Sequence, residues 1–509
     1  MSKDQSLERY DRQIRLWGIN GQQSIVAATL VVTGSDCVSS EFLKNMTLHG
    51  VKNVIIVDDA LVTKDDLGTN FYVDETYLGK PRAQAVADLL TEMNPDAIIK
   101  PILKAPNDIS FLDEIKQDKD CFIVTTGNQT PTFLKTLSRK CREIGIRQAH
   151  LQITGYFGAF YIDGGLHHFY EETKNPNNPI FTKELRMSQP FPELKAFFDS
   201  FDFDKLSEAE HGHIPYPVIL YQAAELVKKE LGVDKLSFSN LSAIQSQISK
   251  MHHIKIDAEN NTMTEEECFK EALSKVMFIL IPPTLPDNLP DCFSLSDKIG
   301  EVKSPFWEMI RATQRFYKKH GVIPHYGGCP DMETSFKWYQ QLKEIYIHKS
   351  EEDWKEIRED LKSNGCEIDE TIFERFKHNI YSVGGIEFKT IEEQIDAKSP
   401  NNKSPLAIVQ MLFIAARQFL EKEGRTPKKG DEAKLLELMK EIGAKDDNNE
   451  LTKYVEEFCR YNGDVIPSVA GSFAAVLAEE VTKIIIRQLP PADKPVVVDS
   501  IHSLLGMMQ

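Results

Sequence analysis

The apolar run Leu30-Val31-Val32 leads into Gly34-Ser35-Asp36-Cys37-Val38-Ser39, then a helical segment over residues 40–48 with Phe42, Leu43 and Met46 as its apolar set. A second apolar run, Val54-Ile55-Ile56-Val57, follows and ends at Asp58-Asp59. Strand, turn, helix, strand is the opening of a dinucleotide-binding unit, and it puts residues 34–39 where such units cradle phosphate. A working loop is glycine-rich because phosphate oxygens must approach bare backbone N–H groups at the helix N-terminus. Here Asp36 and Ser39 fill two of those places. A carboxylate repels a triphosphate unless a metal intervenes, and both side chains block close approach. The segment reads as an inherited nucleotide fold with a disabled pocket; taken alone, it also fits an ordinary strand-to-helix turn.

Residues 82–93 repeat the helical pattern with Ala83, Val86, Ala87, Leu89 and Leu90, and stop before Pro95, which cannot continue a helix. Strands are predicted at 121–124, 151–160 and 166–170, the last two joined through a tight hairpin at Asp163-Gly164-Gly165. The turn-rich Lys174-Asn175-Pro176-Asn177-Asn178-Pro179 opens a mainly helical region, with helices predicted at 216–231, 265–277, 305–320, 333–348, 352–363, 369–376, 405–423 and 434–442. Residues 310–324 align with 413–427 as helix, glycine stop, loop and proline, and 220–232 is a weaker third copy. The unequal spacing argues for recurrent helix packing or an old internal duplication over a regular solenoid. Residues 468–489 read as an apolar helix with Ser468 as N-cap, and 495–499 as a strand. Both return most economically to the first unit. The expected class is therefore α/β, a Rossmann-like domain with a large, mainly helical insertion: 1–165, then 166–460 inserted, then 461–509 returning.

A length of 509 residues with 41% apolar composition predicts two to four packed units. The formal charge of -17 argues against nucleic acid or an anionic membrane as partner, and favours a basic protein surface. The polar start and the lack of a long apolar span predict a soluble intracellular chain. The eight cysteines contain no C-x-x-C pair, so reduced, structural thiols are expected.

Tyr10-Asp11-Arg12-Gln13-Ile14-Arg15-Leu16-Trp17-Gly18 precedes the first strand and puts Arg12 and Arg15 on one helical face. From the residues alone they are either solvated charges or a planar fork of donors for phosphate. With this segment go residues 34–45, D-D-A-L-V-T-K-D-D-L-G-T-N-F at 58–71, G-K-P-R-A at 79–83, P-F-P-E-L at 190–194, H-G-H-I-P at 211–215, P-D-M at 330–332 and E-F-C-R-Y at 457–461. On these motifs the chain resembles the regulatory, non-cysteine subunits of the heterodimeric activating enzymes for the cullin-modifying ubiquitin-like protein, in the ThiF/MoeB-like superfamily.

The resemblance implies an inactive adenylation domain. Asp58 matches the family's ribose-binding acid, but Ala60 and Thr69 stand where Asp and Arg are expected, and no carboxylate occurs at Gly127-Asn128-Gln129, where the metal-binding aspartate belongs. The degenerate loop is thus Gly34, Asp36, Ser39 and Asp58. Arg12 matches the arginine that crosses to the ATP phosphates held by the catalytic partner, with Arg15 assisting. The chain itself is implied to bind no cofactor or metal and to hold no catalytic residue; ATP and Mg belong to the cysteine-bearing subunit. The ubiquitin-like modifier and its conjugating enzyme are further implied partners, the compartment cytoplasm or nucleus. The Ala-rich C-terminal helix and residues 43–48 are expected at the subunit interface.

The insertion resembles the half of a catalytic-cysteine domain that carries no such cysteine. Cys329, four residues after His325, and Cys292 lack a triad or thioester motif. His211 and His213 lack further ligands at metal spacing, and Lys80 and Arg82 are edge cations facing solvent or a partner. Two other functions remain open at this point: an NAD-dependent oxidoreductase, disfavoured by the loop, and a homo-oligomeric adaptor with no nucleotide role.

Overall fold

A computed structural model describes residues 9–115, 121–170, 184–257, 262–300, 302–396, 404–445 and 449–508, without side-chain detail for 254–257 and 262–265. The turn-rich run at 174–179 lies outside the described residues. Two compact units result: Met1–Phe169 with Gly385–Gln509, and Tyr170–Gly384.

The first unit is built on an eight-stranded sheet. Its strands β1 (Thr29–Thr33), β2 (Asn53–Val57), β3 (Ile98–Ile102), β4 (Cys121–Thr126), β5 (Arg147–Thr154) and β6 (Phe157–Asp163) are joined by Val496–Asp499 and Leu504–Met507. The order runs Leu504–Met507, Val496–Asp499, β6, β5, β4, β1, β2, β3. Strands β3, β2, β1, β4 and β5 are parallel, with Val31 opposite both Ile55 and Ile123. The order 3-2-1-4-5 is that of a doubly wound sheet, whose ligands sit beyond the C-terminal strand ends where the order reverses, here between β1 and β4. Because β1 and β4 are covered on both faces, they are apolar without alternation.

Helices α1 (Asp11–Ala27), α2 (Cys37–His49), α3 (Lys64–Thr69), α4 (Arg82–Met93) and α5 (Pro131–Ile144) flank the sheet. On one face, α2 and α4 share a core with Pro467–Ile486, through Phe42, Leu43, Met46, Val86, Phe473 and Leu477. On the other, α5 and Pro405–Glu423 meet Phe157, Tyr161 and Phe458.

Several expectations are corrected. Residues 151–160 are two strands that turn at Gly155-Tyr156, whereas Leu166–Tyr170 stands outside the eight-stranded sheet, so Asp163-Gly164-Gly165 makes no hairpin there. Gly155 is at φ +56, and a Cβ on it would stand 2.1 Å from the Tyr461 ring. The return to the first unit comes at Gly385, not at 461, because helices Pro405–Glu423, Glu432–Glu441 and Glu450–Arg460 bury their apolar faces in its core. Ser468 is inside a helix that starts at Pro467 and makes no cap. Of the residues expected at an interface, Leu43, Met46, Ala470 and Phe473 are buried in the first unit's own core, whereas Leu48 is 46% exposed.

The second unit is mainly helical. Helix Tyr216–Leu231, buried along most of its length, packs with Pro192–Asp199, Leu241–Met251 and Glu267–Lys275. Residues 333–363 form one helix, Phe336–Ser363, rather than two, since no glycine or proline interrupts it and Ser350 is buried along it. The three internally similar helices all end on a left-handed glycine, Gly232, Gly321 and Gly424. They belong to two different units, so the likeness is a recurrent helix-stop device and not a stacked repeat.

Candidate functional site

At the C-terminal ends of β1, β2 and β4 the nucleotide position is filled by the chain's own side chains. Gly34 turns the chain out of β1 at φ +95, and a Cβ there would lie 2.9 Å from the Thr126 hydroxyl. Asp36 is the N-cap of α2: its Oδ1 accepts from the Ser39 N–H at 3.0 Å and from the Ser39 hydroxyl at 2.9 Å. The Ser39 N–H and the positive end of the dipole that would receive a phosphate are therefore engaged by a carboxylate. That carboxylate faces the end of β4, where a Cβ added at Gly127 would be 3.6 Å from its Oδ2.

Asp58 continues the closure. Its side chain is 1% exposed, and its Oδ2 accepts from the Ser35 N–H at 3.0 Å and from the Ser35 hydroxyl, while Oδ1 takes the Ala60 N–H at 3.0 Å. Arg82, at the start of α4, donates to Asp58 Oδ2 from Nε at 3.1 Å and Nη2 at 2.9 Å, and to Asp66 Oδ1 from Nη1 at 2.9 Å. The edge-cation reading of Arg82 is thus corrected: its side chain is 19% exposed and its guanidinium bridges two acids. Burial works to lower the Arg82 pKa but is outweighed by Asp58, Asp36 and Asp66, so the cation is held more firmly than usual. Asp66 is held below the usual carboxylate range, since hydrogen bonds from Thr63 and Arg82 overcome its desolvation. Lys80 lies over the Tyr77 ring, 5.1 Å from its centre.

Asn128, where a metal-binding aspartate is expected by resemblance, accepts from Gln152 Nε2 at 2.8 Å. Gln152 in turn accepts from Arg417 Nη1 at 3.1 Å, and Tyr161 Oη accepts from Nη2 at 3.1 Å. Arg417 is 2% exposed, and its partners here are neutral. It also helps burial push the His150 pKa down to about 3. This network was not visible in the sequence, because it spans 265 residues between Gln152 and Arg417.

Arg12 and Arg15 lie elsewhere. Helix α1 kinks at Gly18 (φ 73) and is anchored at the far end of α2 from Asp36: Gln13 Nε2 donates to Leu48 O at 3.1 Å and Gln22 Nε2 to His49 O at 2.9 Å. The thirteen residues of α2 span about 20 Å, so the structure does not bring Arg12 to its own chain's loop. Arg15 pairs with Asp11 at 2.7 Å. Arg12 is exposed and makes no hydrogen bond or ion pair among the described residues. Leu16, on the same helix, is 68% exposed.

In the second unit, burial pushes the Cys329 thiol up to about 12, and the same cause acts on Cys292. His325 is no base for Cys329. It is fully buried, accepts from the Gly327 N–H at 2.9 Å through Nδ1 and bonds Glu184 O at 3.0 Å through Nε2. Burial lowers its pKa to about 3. Cys37, Cys141, Cys268 and Cys459 are likewise raised to about 12, chiefly by burial, so none of these thiols is a poised nucleophile. His213 bonds Ala209 O, whereas His211 meets His253 and Glu266.

The chain, a doubly wound α/β unit whose nucleotide position is closed by its own capping and ion-pairing side chains together with a mainly helical unit, belongs to the ThiF family, whose model matches residues 10–508. The "NEDD8-activating enzyme E1 regulatory subunit AXL" of Arabidopsis thaliana is 27% identical over 513 residues, covering 95% of each chain. The "NEDD8-activating enzyme E1 regulatory subunit" of Caenorhabditis elegans is 25% identical over 532 residues, covering 96% of each. The "SUMO-activating enzyme subunit 1" of Dictyostelium discoideum is 27% identical over 278 residues, 54% of this chain and 79% of that one.

Proposed function

We propose that this chain is the regulatory, non-catalytic subunit of a heterodimeric activating enzyme for the ubiquitin-like modifier NEDD8, acting at the first step of neddylation. It matches regulatory subunits along nearly their whole length. The observation that carries the reading physically is the self-filled pocket: Asp36 occupies the helix N-terminus and Arg82 neutralises Asp58. Chemistry then belongs to the cysteine-bearing partner, which holds ATP and Mg, adenylates the modifier's C-terminal carboxylate and accepts it as a thioester.

Arg12 is assigned to the ATP phosphates in the partner's site, with Arg15 beside it. Its exposure, its lack of a partner among the described residues and its place at the opposite end of α2 from its own loop support a role in trans. The proposed compartments are cytoplasm and nucleus.

The test is co-expression with the cysteine-bearing subunit, followed by intact-complex mass spectrometry and modifier-dependent pyrophosphate exchange. A one-to-one complex is expected. A charge-assisted hydrogen bond is worth about 1.5–3 kcal/mol, so Arg12→Ala lowers exchange by about tenfold or more while assembly is unchanged. Recovery only as a homo-oligomer refutes the function, and unchanged exchange by an intact Arg12→Ala complex refutes the assignment of that residue.

A further inference from the structure

The turn of α1 that carries Arg12 is fastened on both sides of that residue. Before it, the Arg9 guanidinium reaches the carbonyl end of α4, donating from Nη2 to Met93 O at 2.9 Å and from Nη1 to Asn94 Oδ1 at 3.1 Å. Tyr10, the N-cap of α1, is 5% exposed, and its hydroxyl accepts from Asn94 Nδ2 at 3.4 Å. After it, Gln13 donates to Leu48 O. Asn94 joins these contacts. It is fully buried, and both ends of its amide are further engaged: Nδ2 donates to Thr47 O at 3.2 Å, and Oδ1 accepts from the Asp96 N–H at 3.3 Å. One side chain thereby ties the start of α1 to the C-terminal turns of α2 and α4.

An arginine at the carbonyl end of a helix is a common contact that gains little when exposed. Two observations give this one a larger role. Residues 11–17 include no buried side chain, so hydrogen bonds rather than core packing place the turn. The non-helical backbone at Gly18 also separates it from the second half of α1, where Gly21, Gln22 and Ile25 are buried. The socket is shaped for its occupants as well. Gly50 sits at φ +107, where a Cβ would stand 2.7 Å from Gln22 Nε2 and 3.0 Å from Cζ of the Tyr10 ring.

We infer that Arg9 and Asn94 are positioning residues for adenylation at the partner's site: they hold the first turn of α1 so that Arg12 meets the ATP phosphates already in place. The inference rests on the in-trans assignment of Arg12. A fastened turn keeps Arg12 in its productive placement before ATP arrives, and no ordering entropy has to be met at that moment. Releasing the turn divides that population, and the contribution of Arg12 falls by the same fraction. Arg9 and Asn94 themselves touch neither nucleotide nor modifier.

The test is a double-mutant cycle of Arg9→Met and Arg12→Ala in the heterodimer, read by modifier-dependent pyrophosphate exchange. Arg9 is exposed, so Arg9→Met leaves the fold and one-to-one assembly intact. It lowers exchange by about three- to tenfold when Arg12 is present, and by less than about twofold once Arg12 is alanine. Arg9→Lys keeps a cation at the carbonyl end of α4 and recovers most of the loss. Hydrogen exchange of the free chain, which involves neither ATP nor partner, shows the amides of residues 13–17 opening faster in Arg9→Met while those of β1 are unchanged. Full activity of Arg9→Met, or an equal loss with and without Arg12, overturns the positioning role, and unchanged hydrogen exchange at 13–17 overturns the anchoring itself. An Arg12→Ala complex as active as wild type fails differently: it refutes the in-trans reading, and the positioning role falls with it.

Discussion

Replacing Arg82 by methionine tests whether the nucleotide position is held shut by an internal ion pair. The substitution keeps most of the apolar stem and removes four hydrogen bonds from the cation, two to Asp58 Oδ2, one to Asp66 Oδ1 and one to the Ser35 hydroxyl. Removing one member of a buried pair costs about 3–5 kcal/mol, because the other is left charged and desolvated. The cost here is smaller. Arg82 retains some contact with water, Asp58 keeps donors from Ser35 and Ala60, and Asp66 keeps two from Thr63. About 2–4 kcal/mol is expected. Because the chain has two units, the assay is native-state hydrogen exchange at the amides of β1 and β2, which reads the first unit alone. Asp58→Asn in the Arg82→Met background removes the stranded charge and recovers at least about 1 kcal/mol as a coupling term. An Arg82→Met variant within about 0.5 kcal/mol of wild type, with additive behaviour in the double variant, refutes the closure by ion pairing.

Asp36→Ala removes the cap of α2 and costs about 1 kcal/mol. It creates no ATP binding by calorimetry, because Asp58 remains engaged with Ser35 and Arg82; measurable ATP binding by this variant refutes the reading of the pocket. Acidification separately destabilises the fold through His150 and His325, each lowered to about 3, mainly by burial. The unfolded chain takes up their protons near pH 6.5 and the folded chain does not, so stability falls as pH drops from about 6.5 toward 3, by up to about 1.4 kcal/mol per pH unit for each histidine. Urea midpoints measured across this range fall with pH, and His150→Gln flattens the fall in the first unit; an unchanged pH dependence in that variant refutes the assignment.

The legible parts of this protein are those written in local pattern. The runs Leu30-Val31-Val32 and Val54-Ile55-Ile56-Val57 announced β1 and β2, and proline near the start with glycine just past the end bounded Pro305–His320 and Pro405–Glu423. The loss of a working loop was readable at Asp36, because a carboxylate at a helix N-terminus takes the place of a phosphate and repels one when no metal intervenes. The domain boundary was not readable. Helices Pro405–Glu423, Glu432–Glu441 and Glu450–Arg460 would suit either unit, and only packing of Leu412, Phe413 and Phe458 in the core of the first assigns them to it. Helix Phe336–Ser363 is illegible as one helix for a similar reason: polar residues at its middle look like a break, yet Ser350 and Asp353 are buried.

The sequence by itself determined that the chain contains a dinucleotide-type unit with a spoiled phosphate loop, since that depends on residues adjacent in the chain. Tertiary structure alone decided what took the nucleotide's place. Arg82 meets Asp58 across 24 residues, Arg417 meets Gln152 across 265, and His211 meets Glu266 across 55. No local propensity encodes such pairs. They exist because the parallel sheet and the helical unit bring distant segments together and leave buried polar groups that must find partners wherever the fold places them.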